Sequence, residues 1–341
     1  MIFRLDEKLS RIKAGAYRRA DFIIADAKDA DMGGGVAAMG PLRQADGSWT
    51  RYRTRDEFID SIEAVVRQDI VDIMLASVSN LERLTRRGVF ASSAVKPAIR
   101  ANETSDVWGP RGSTYKAHAS RPFRTASLPR VRSGTPAPDP AAAVALTDLG
   151  LYSITFNNDL DADIASLEAF AKFRRDAEEA GLSYFLEVFN PNVATGIAAD
   201  EAPFYVNDCI LRCLAGLVLA ERPLFLKIPY NGPKALEELA SFDSSLVVGV
   251  LGGGAGTTRD CFELIHQAEK YGARVALFGR KINLAESPLD MVRFMRAVAD
   301  GALGPGEAVA AYHGDLARQK IKPARELGAD KRITEAALKS A

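Results

Sequence analysis

Eight short, β-prone apolar runs alternate with helical patterns through most of the sequence, and few folds accept that rhythm. The runs are residues 22–28 (FIIADAK), 70–77 (IVDIMLAS), 98–108 (AIRANETSDVW), 150–158 (GLYSITFNN), 183–190 (SYFLEVFN), 223–229 (PLFLKIP), 245–253 (SLVVGVLGG) and 273–280 (ARVALFGR). Several are almost continuously apolar, as parallel strands covered on both faces are. Between them, residues 55–68 place Phe58, Ile62, Val65 and Val66 at helical spacing. Residues 162–181 end in Gly181, suited to a left-handed C-cap. Residues 206–220, 258–272 and 287–301 read as further helices, the last opening on Ser287 and Pro288. Strand–helix alternation repeated eight times predicts a (β/α)8 TIM barrel. A doubly wound open sheet is the structural alternative.

The expected organisation is a single domain over 1–341 with two departures from the repeat. Residues 108–143 are rich in Pro, Gly and Ser and long for a barrel loop. Between Asp106 and Asp139 this insertion has no acidic residue but carries Arg111, Lys116, Arg121, Arg124, Arg130 and Arg132. It follows the third strand and so belongs to the catalytic face, where it can cover an anionic substrate; a surface excursion or a subunit-contact arm fits equally well. Residues 303–341 read as a C-terminal helical extension.

Charge and cysteine usage narrow the function classes. The 44 basic and 44 acidic residues cancel, which favours neither nucleic acid nor a membrane surface as partner. No apolar run reaches the roughly 18 residues that span a bilayer, and the charged first twenty residues lack a signal-peptide core. Cys209, Cys213 and Cys261 are odd in number, have no CxxC spacing and read as small core residues in a reducing compartment. A cytoplasmic location is expected. His118, His266 and His313 include no pair at metal-ligand spacing, and no nucleophile elbow is present. Histidine-ligated metal chemistry and serine hydrolysis are therefore not expected, and neither is a metal or an organic cofactor.

In a barrel the useful polar residues are those at the C-terminal ends of strands. Lys227 interrupts the apolar sixth run, although lysine is almost never fully buried without a partner. It can be half of a structural ion pair, a snorkelling side chain, or a Schiff-base nucleophile, and desolvation by Leu224, Phe225, Leu226 and Ile228 favours the neutral amine that the last role needs. Asp26 in the first run and Glu187 in the fifth are candidate acid–base partners, or structural partners for Arg and Lys. Gly252–Gly254 and Gly256 leave room for backbone N–H groups to crowd an oxyanion, Thr257 or Thr258 can cap the next helix, and Arg280 can add a charge-assisted contact. Asn157, Asn158, Asp159, Asn190 and Asn192 close the fourth and fifth runs, where they bind hydroxyls or simply make turns.

The segments FLKIPYNGPKALEEL and VVGVLGGGAGTTRDCFELIHQAEKYGARVALFGRKI resemble the class I (Schiff-base) aldolases of the deoxyribose-phosphate, tagatose-bisphosphate and archaeal fructose-bisphosphate type. The match covers residues 183–299; IIADAKD is similar, more loosely, to the first-strand segment. The resemblance implies that Lys227 forms the imine, that Asp26 and Glu187 carry protons, and that Gly253, Gly254, Gly279 and Arg280 hold a substrate phosphate. Two departures mark a divergent branch. Tyr152 and Thr155 stand in the strand where the tagatose-bisphosphate branch has a lysine, and glycine replaces the serine of the phosphate turn. The expected activity is a metal-independent lyase acting on a phosphorylated or other anionic sugar, in a homo-oligomer. Alternatives are transaldolase-like or retro-aldol chemistry on a non-bisphosphate sugar acid, and a phosphosugar-binding homologue without turnover.

Overall fold

The computed structural model describes residues 3–134, 145–254 and 256–339, and in it each apolar run contributes one parallel strand. These are β1 (Ile23–Lys28), β2 (Ile73–Ala76), β3 (Lys96–Arg100), β4 (Leu149–Thr155), β5 (Ser183–Phe189), β6 (Leu226–Lys227), β7 (Gly249–Leu251) and β8 (Val275–Phe278). They pair in the order β6-β5-β4-β3-β2-β1-β8-β7. A parallel bridge between Ile228 and Val250 then joins β6 to β7, closing the ring into a barrel and excluding the open sheet. The helices α1 (Arg55–Gln68), α2 (Val78–Arg86), α3 (Leu128–Ser133), α4 (Leu160–Ala180), α5 (Ala202–Ala215), α6 (Pro233–Phe242), α7 (Thr258–Lys270) and α8 (Pro288–Ala299) follow the strands in turn. A further helix, α9 (Pro305–Arg318), packs on α7 and α8.

Strand ends differ from the apolar runs for local reasons. β6 is only two residues long because Pro223 and Pro229 bracket it and neither has an N–H to donate. β3 ends at Arg100 rather than reaching residue 108. Beyond it the Asn102 side chain imitates the ladder, accepting from the Ser153 N–H at 2.6 Å and donating to the Ser153 carbonyl at 2.8 Å. Glu103–Thr104 then turns away to pair antiparallel with Pro122–Phe123, inside the insertion. Asp106 ties that segment to β4 by accepting from Thr155 Oγ1 (3.0 Å) and Ser120 Oγ (2.7 Å). Trp108 stacks on Tyr115 with ring centroids 5.0 Å apart. Residues 135–143 of the insertion lie outside the described residues.

The period-two alternation of each strand sorts the core into two layers. Ile23, Ala25, Ile73, Leu75, Ala98, Leu151, Phe185, Phe225 and Leu277 fill the barrel interior. Ile24, Met74, Ile99, Ile154, Leu186, Leu226 and Phe278 face the helices. An N-terminal helix, Arg4–Lys13, inserts Leu5 and Leu9 into the interior layer. Its Lys8 pairs with buried Asp72 at 2.9 Å and donates to the Phe22 carbonyl. This segment reads as merely charged in sequence because its apolar stripe is only one residue wide. The opposite, C-terminal end of the strands is left for a site.

Candidate active site

A cavity of 530 Å³ opens at the C-terminal end of the strands, and Asp29, Arg100, Glu187, Lys227, the Gly252–Gly253 turn and Gly279–Arg280 line it. Lys227 and Glu187 share the interior face with Phe225 and Phe185, two residues earlier on the same strands. Their side chains form an ion pair, Lys227 Nζ to Glu187 Oε1, buried to 6% and 2% exposure. The other oxygen, Glu187 Oε2, accepts from Ser153 Oγ at 2.7 Å and from Arg100 at 3.2 Å. Arg100 also donates to Ser153 Oγ (3.0 Å) and, through Nε, to Asp29 (2.5 Å). Burial raises the Asp29 pKa, but the charges of Arg100 and Lys227 outweigh it and hold the carboxyl below its ordinary value. For Arg100, burial opposes the charge and Asp29 and Glu187 more than offset it, so the guanidinium keeps its proton more firmly than usual. Lys227 thus contacts one carboxylate directly and feels the charge of a second, Asp29, across the same cavity.

Asp26 is placed elsewhere. On β1 the interior face carries Ile23, Ala25 and Ala27, so Asp26 shares the opposite face with Ile24 and points into the strand–helix layer. It is fully buried there, 3.1 Å from Lys28, and does not line the cavity. Burial pushes its pKa up to about 6, with Lys28 opposing only in part. Burial likewise lowers the pKa of Lys28, whose side chain does reach the cavity wall. The aspartate beside Lys227 is Asp29, one residue past the strand. Counting by twos from Ala25 selects it, as counting by twos from Ala98 selects Arg100. The sequence alone points to Asp26, because it sits inside the apolar run and in the segment that resembles the family's first strand, and does not single out Asp29.

The glycine turn after β7 has two structural causes. A Cβ on Gly252 would lie 2.6 Å from the Phe278 ring, and Gly253 has φ +60°, a conformation other residues rarely adopt. Gly279 is required because a Cβ there would meet the Ala27 carbonyl at 2.9 Å. Gly252, Gly253, Gly279 and Arg280 all border the cavity, whereas Gly254 borders a smaller adjoining one of 150 Å³. Exposed Arg280 donates to the Gly253 carbonyl at 3.0 Å, fixing the two loops against each other.

Thr257 caps α7 as expected, but the first turn of that helix is not open to a substrate anion. The Thr258 N–H donates to Asp330 at 2.8 Å, the Asp260 N–H to Thr257 Oγ1, and the Thr257 N–H to Asp260. Asp330 belongs to the C-terminal segment, where His313 also contacts it at 3.0 Å. The protein's own carboxylates therefore satisfy the positive end of α7.

The asparagines serve the turns. Asn157 accepts from the Asn192 N–H, and Asn192 in turn holds the carbonyls of Lys116 and His118. Asp159 caps α4, Asn158 adopts φ +57°, and Asn190 pairs with Asn231. Of the basic insertion, Lys116 lines the cavity and makes no ion pair among the described residues. Arg124 instead pairs with Asp176 on α4, and Arg132 donates to the Thr147 carbonyl.

No family model matches the sequence, and no curated protein does either. Solved structures do. An archaeal fructose 1,6-bisphosphate aldolase is 18% identical, with a TM-score of 0.59 over 87% of this chain and 99% of that one. Another solved structure, of an archaeal fructose-1,6-bisphosphate aldolase with the catalytic Lys covalently bound to the carbinolamine intermediate of the substrate, is 17% identical, with a TM-score of 0.60 over 87% and 100%. A protein of Corynebacterium glutamicum is 16% identical, with a TM-score of 0.55 over 88% and 98%. Likeness at such low identity establishes a shared barrel fold, which spans nearly the whole length of those chains.

Proposed function

We propose that the protein is a metal-independent class I aldolase that makes or breaks a C–C bond in a phosphorylated or similarly anionic sugar through an imine on Lys227. The observation that carries this is the buried pair of Lys227 with Glu187 in a cavity whose other wall is the glycine turn and Arg280. As the neutral amine, Lys227 attacks a ketone carbon: the C–N bond forms and the carbonyl oxygen takes up a proton. Loss of water from this carbinolamine leaves an iminium. Electrons from the cleaved C–C bond flow into it as the neighbouring hydroxyl gives up its proton, and an enamine and an aldehyde result. Glu187, in contact with Lys227, exchanges protons at the amine stage. Asp29, held ionised on the other side of Arg100, is the base for the hydroxyl in place of Asp26.

Borohydride added with dihydroxyacetone phosphate tests this reading. Reduction is expected to leave one adduct, on the peptide that carries Lys227. No adduct, or one confined to Lys28 or Lys116, rejects it. Replacing Arg280 by Met is expected to raise the half-saturating concentration of dihydroxyacetone phosphate about 10–100-fold, the worth of one charge-assisted contact to phosphate. The trapping rate at saturation should change much less.

A second reading, retro-aldol cleavage of a non-bisphosphate sugar acid, draws support from Asp330, which occupies the helix end that would otherwise add donors for phosphate. Competition by inorganic phosphate separates the two: strong inhibition of trapping favours the phosphosugar, and indifference favours the sugar acid.

A further inference from the structure

Every nitrogen of the Arg100 guanidinium has a partner, and those partners come from three other parts of the barrel. Nε meets Asp29 just beyond β1, one terminal nitrogen meets Ser153 Oγ on β4, and the other meets Glu187 on β5. Ser153 accepts from Arg100 and donates to Glu187, so its proton is committed. A planar fork can satisfy all three at once, which the point charge of a lysine cannot. The side chain is 6% exposed and lines the same cavity as Lys227.

The charges in direct contact with it offset one another, while Asp26 and Asp31 add negative charge near Asp29. Asp29 and Glu187 are balanced by Arg100 and Lys227. In the segment after β3, Glu103 is held by Thr125, and Asp106 by Ser120 and Thr155. Lys116 reaches the cavity from the insertion. An iminium on Lys227 carries the same single charge as the ammonium it replaces. The four charges therefore sum to zero with the ammonium and again with the iminium, and when the amine is neutral they do so only if Glu187 holds the proton.

We propose that Arg100 is a positioning residue for imine chemistry at Lys227: it fixes Glu187 against the amine, keeps Asp29 as a base on the far side, and supplies the charge that balances the pair. This rests on the aldolase reading above. It also explains why a barrel interior tolerates an arginine among Ala98, Leu151 and Phe185, since removing it would strand a buried carboxylate.

The test is the pH dependence of α-proton exchange in dihydroxyacetone phosphate, from pH 5 to 9, with borohydride trapping measured alongside, in wild type, Arg100→Met and Arg100→Lys. With Met, Asp29 loses its nearest cation and retains a proton to higher pH, so the acid limb of exchange is expected to move up by about one pH unit or more. With Lys, the limb is expected at the wild-type position but with trapping about ten-fold slower, because one ammonium cannot hold all three partners. A limb unmoved in Arg100→Met overturns the proposal, whatever the rate. If the Met variant does not fold, Arg100→Lys decides: trapping at the wild-type rate shows that the fork has no positioning role. Wild type that traps nothing rejects the aldolase reading itself, and the positioning role falls with it.

Discussion

Lys227→Met is expected to abolish borohydride trapping of dihydroxyacetone phosphate and to slow exchange of the probe's α-proton with solvent by on the order of 10⁴-fold or more, as loss of a covalent nucleophile does elsewhere. Methionine preserves most of the stem on the interior face that Lys227 shares with Phe225, so the barrel wall is not opened. Glu187 keeps Ser153 and Arg100 on its second oxygen, and only the oxygen that faced the amine loses its partner. The variant should therefore fold, which circular dichroism and a thermal melt verify alongside the exchange measurement. Lys28 provides an internal control, being a second buried amine at the cavity wall with burial lowering its pKa. Lys28→Met should still yield the Lys227 adduct. Trapping that survives Lys227→Met and disappears with Lys28→Met transfers the imine to β1 and rejects the present assignment.

What the sequence reveals and what it hides follow from different kinds of interaction. The barrel is legible because each strand must be apolar on both faces, and a run such as PLFLKIP signals that without any partner being known. Lys227 and Glu187 are legible for the same reason: a charge in such a run must be paired or functional. Arg280 stands out because glycine and arginine close the eighth run. The side of the strand is harder to see. Asp26 and Asp29 differ by one step in parity, and that step sends one carboxylate to the helices and the other to the cavity. Arg100 is hidden inside a run whose polar residues after Ala101 blur the strand end, where Asn102 continues the ladder with a side chain. The occupation of the α7 terminus by Asp330 is a contact over 72 residues, and no local pattern announces it.

The two aspartates of the first strand should separate cleanly on mutation. Asp29→Asn is expected to slow α-proton exchange by about 10²–10⁴-fold, the usual worth of one general acid–base group, with a smaller loss of stability than at Asp26 because Arg100 keeps Ser153 and Glu187. Asp26→Asn is expected to leave the exchange rate of the folded protein within about three-fold of wild type and to destabilise it by about 3–5 kcal/mol, because Lys28 is left buried without its carboxylate. The pH dependence adds a second signature. The folded pKa of Asp26, about 6, lies above an unfolded value of about 3.9. The folded state therefore favours the protonated carboxyl, and this contribution is full below about pH 4 and lost as pH rises through about 6. Urea melts between pH 4 and 8 should show that loss in wild type, and Asp26→Asn should remove it. Replacing both partners, Asp26→Leu with Lys28→Met, should recover most of the stability, since a buried pair exchanged for apolar side chains is often neutral. If Asp26→Asn instead silences exchange at an unchanged melting point while Asp29→Asn retains it, the catalytic aspartate is Asp26, and the side-chain geometry of β1 has to be revised.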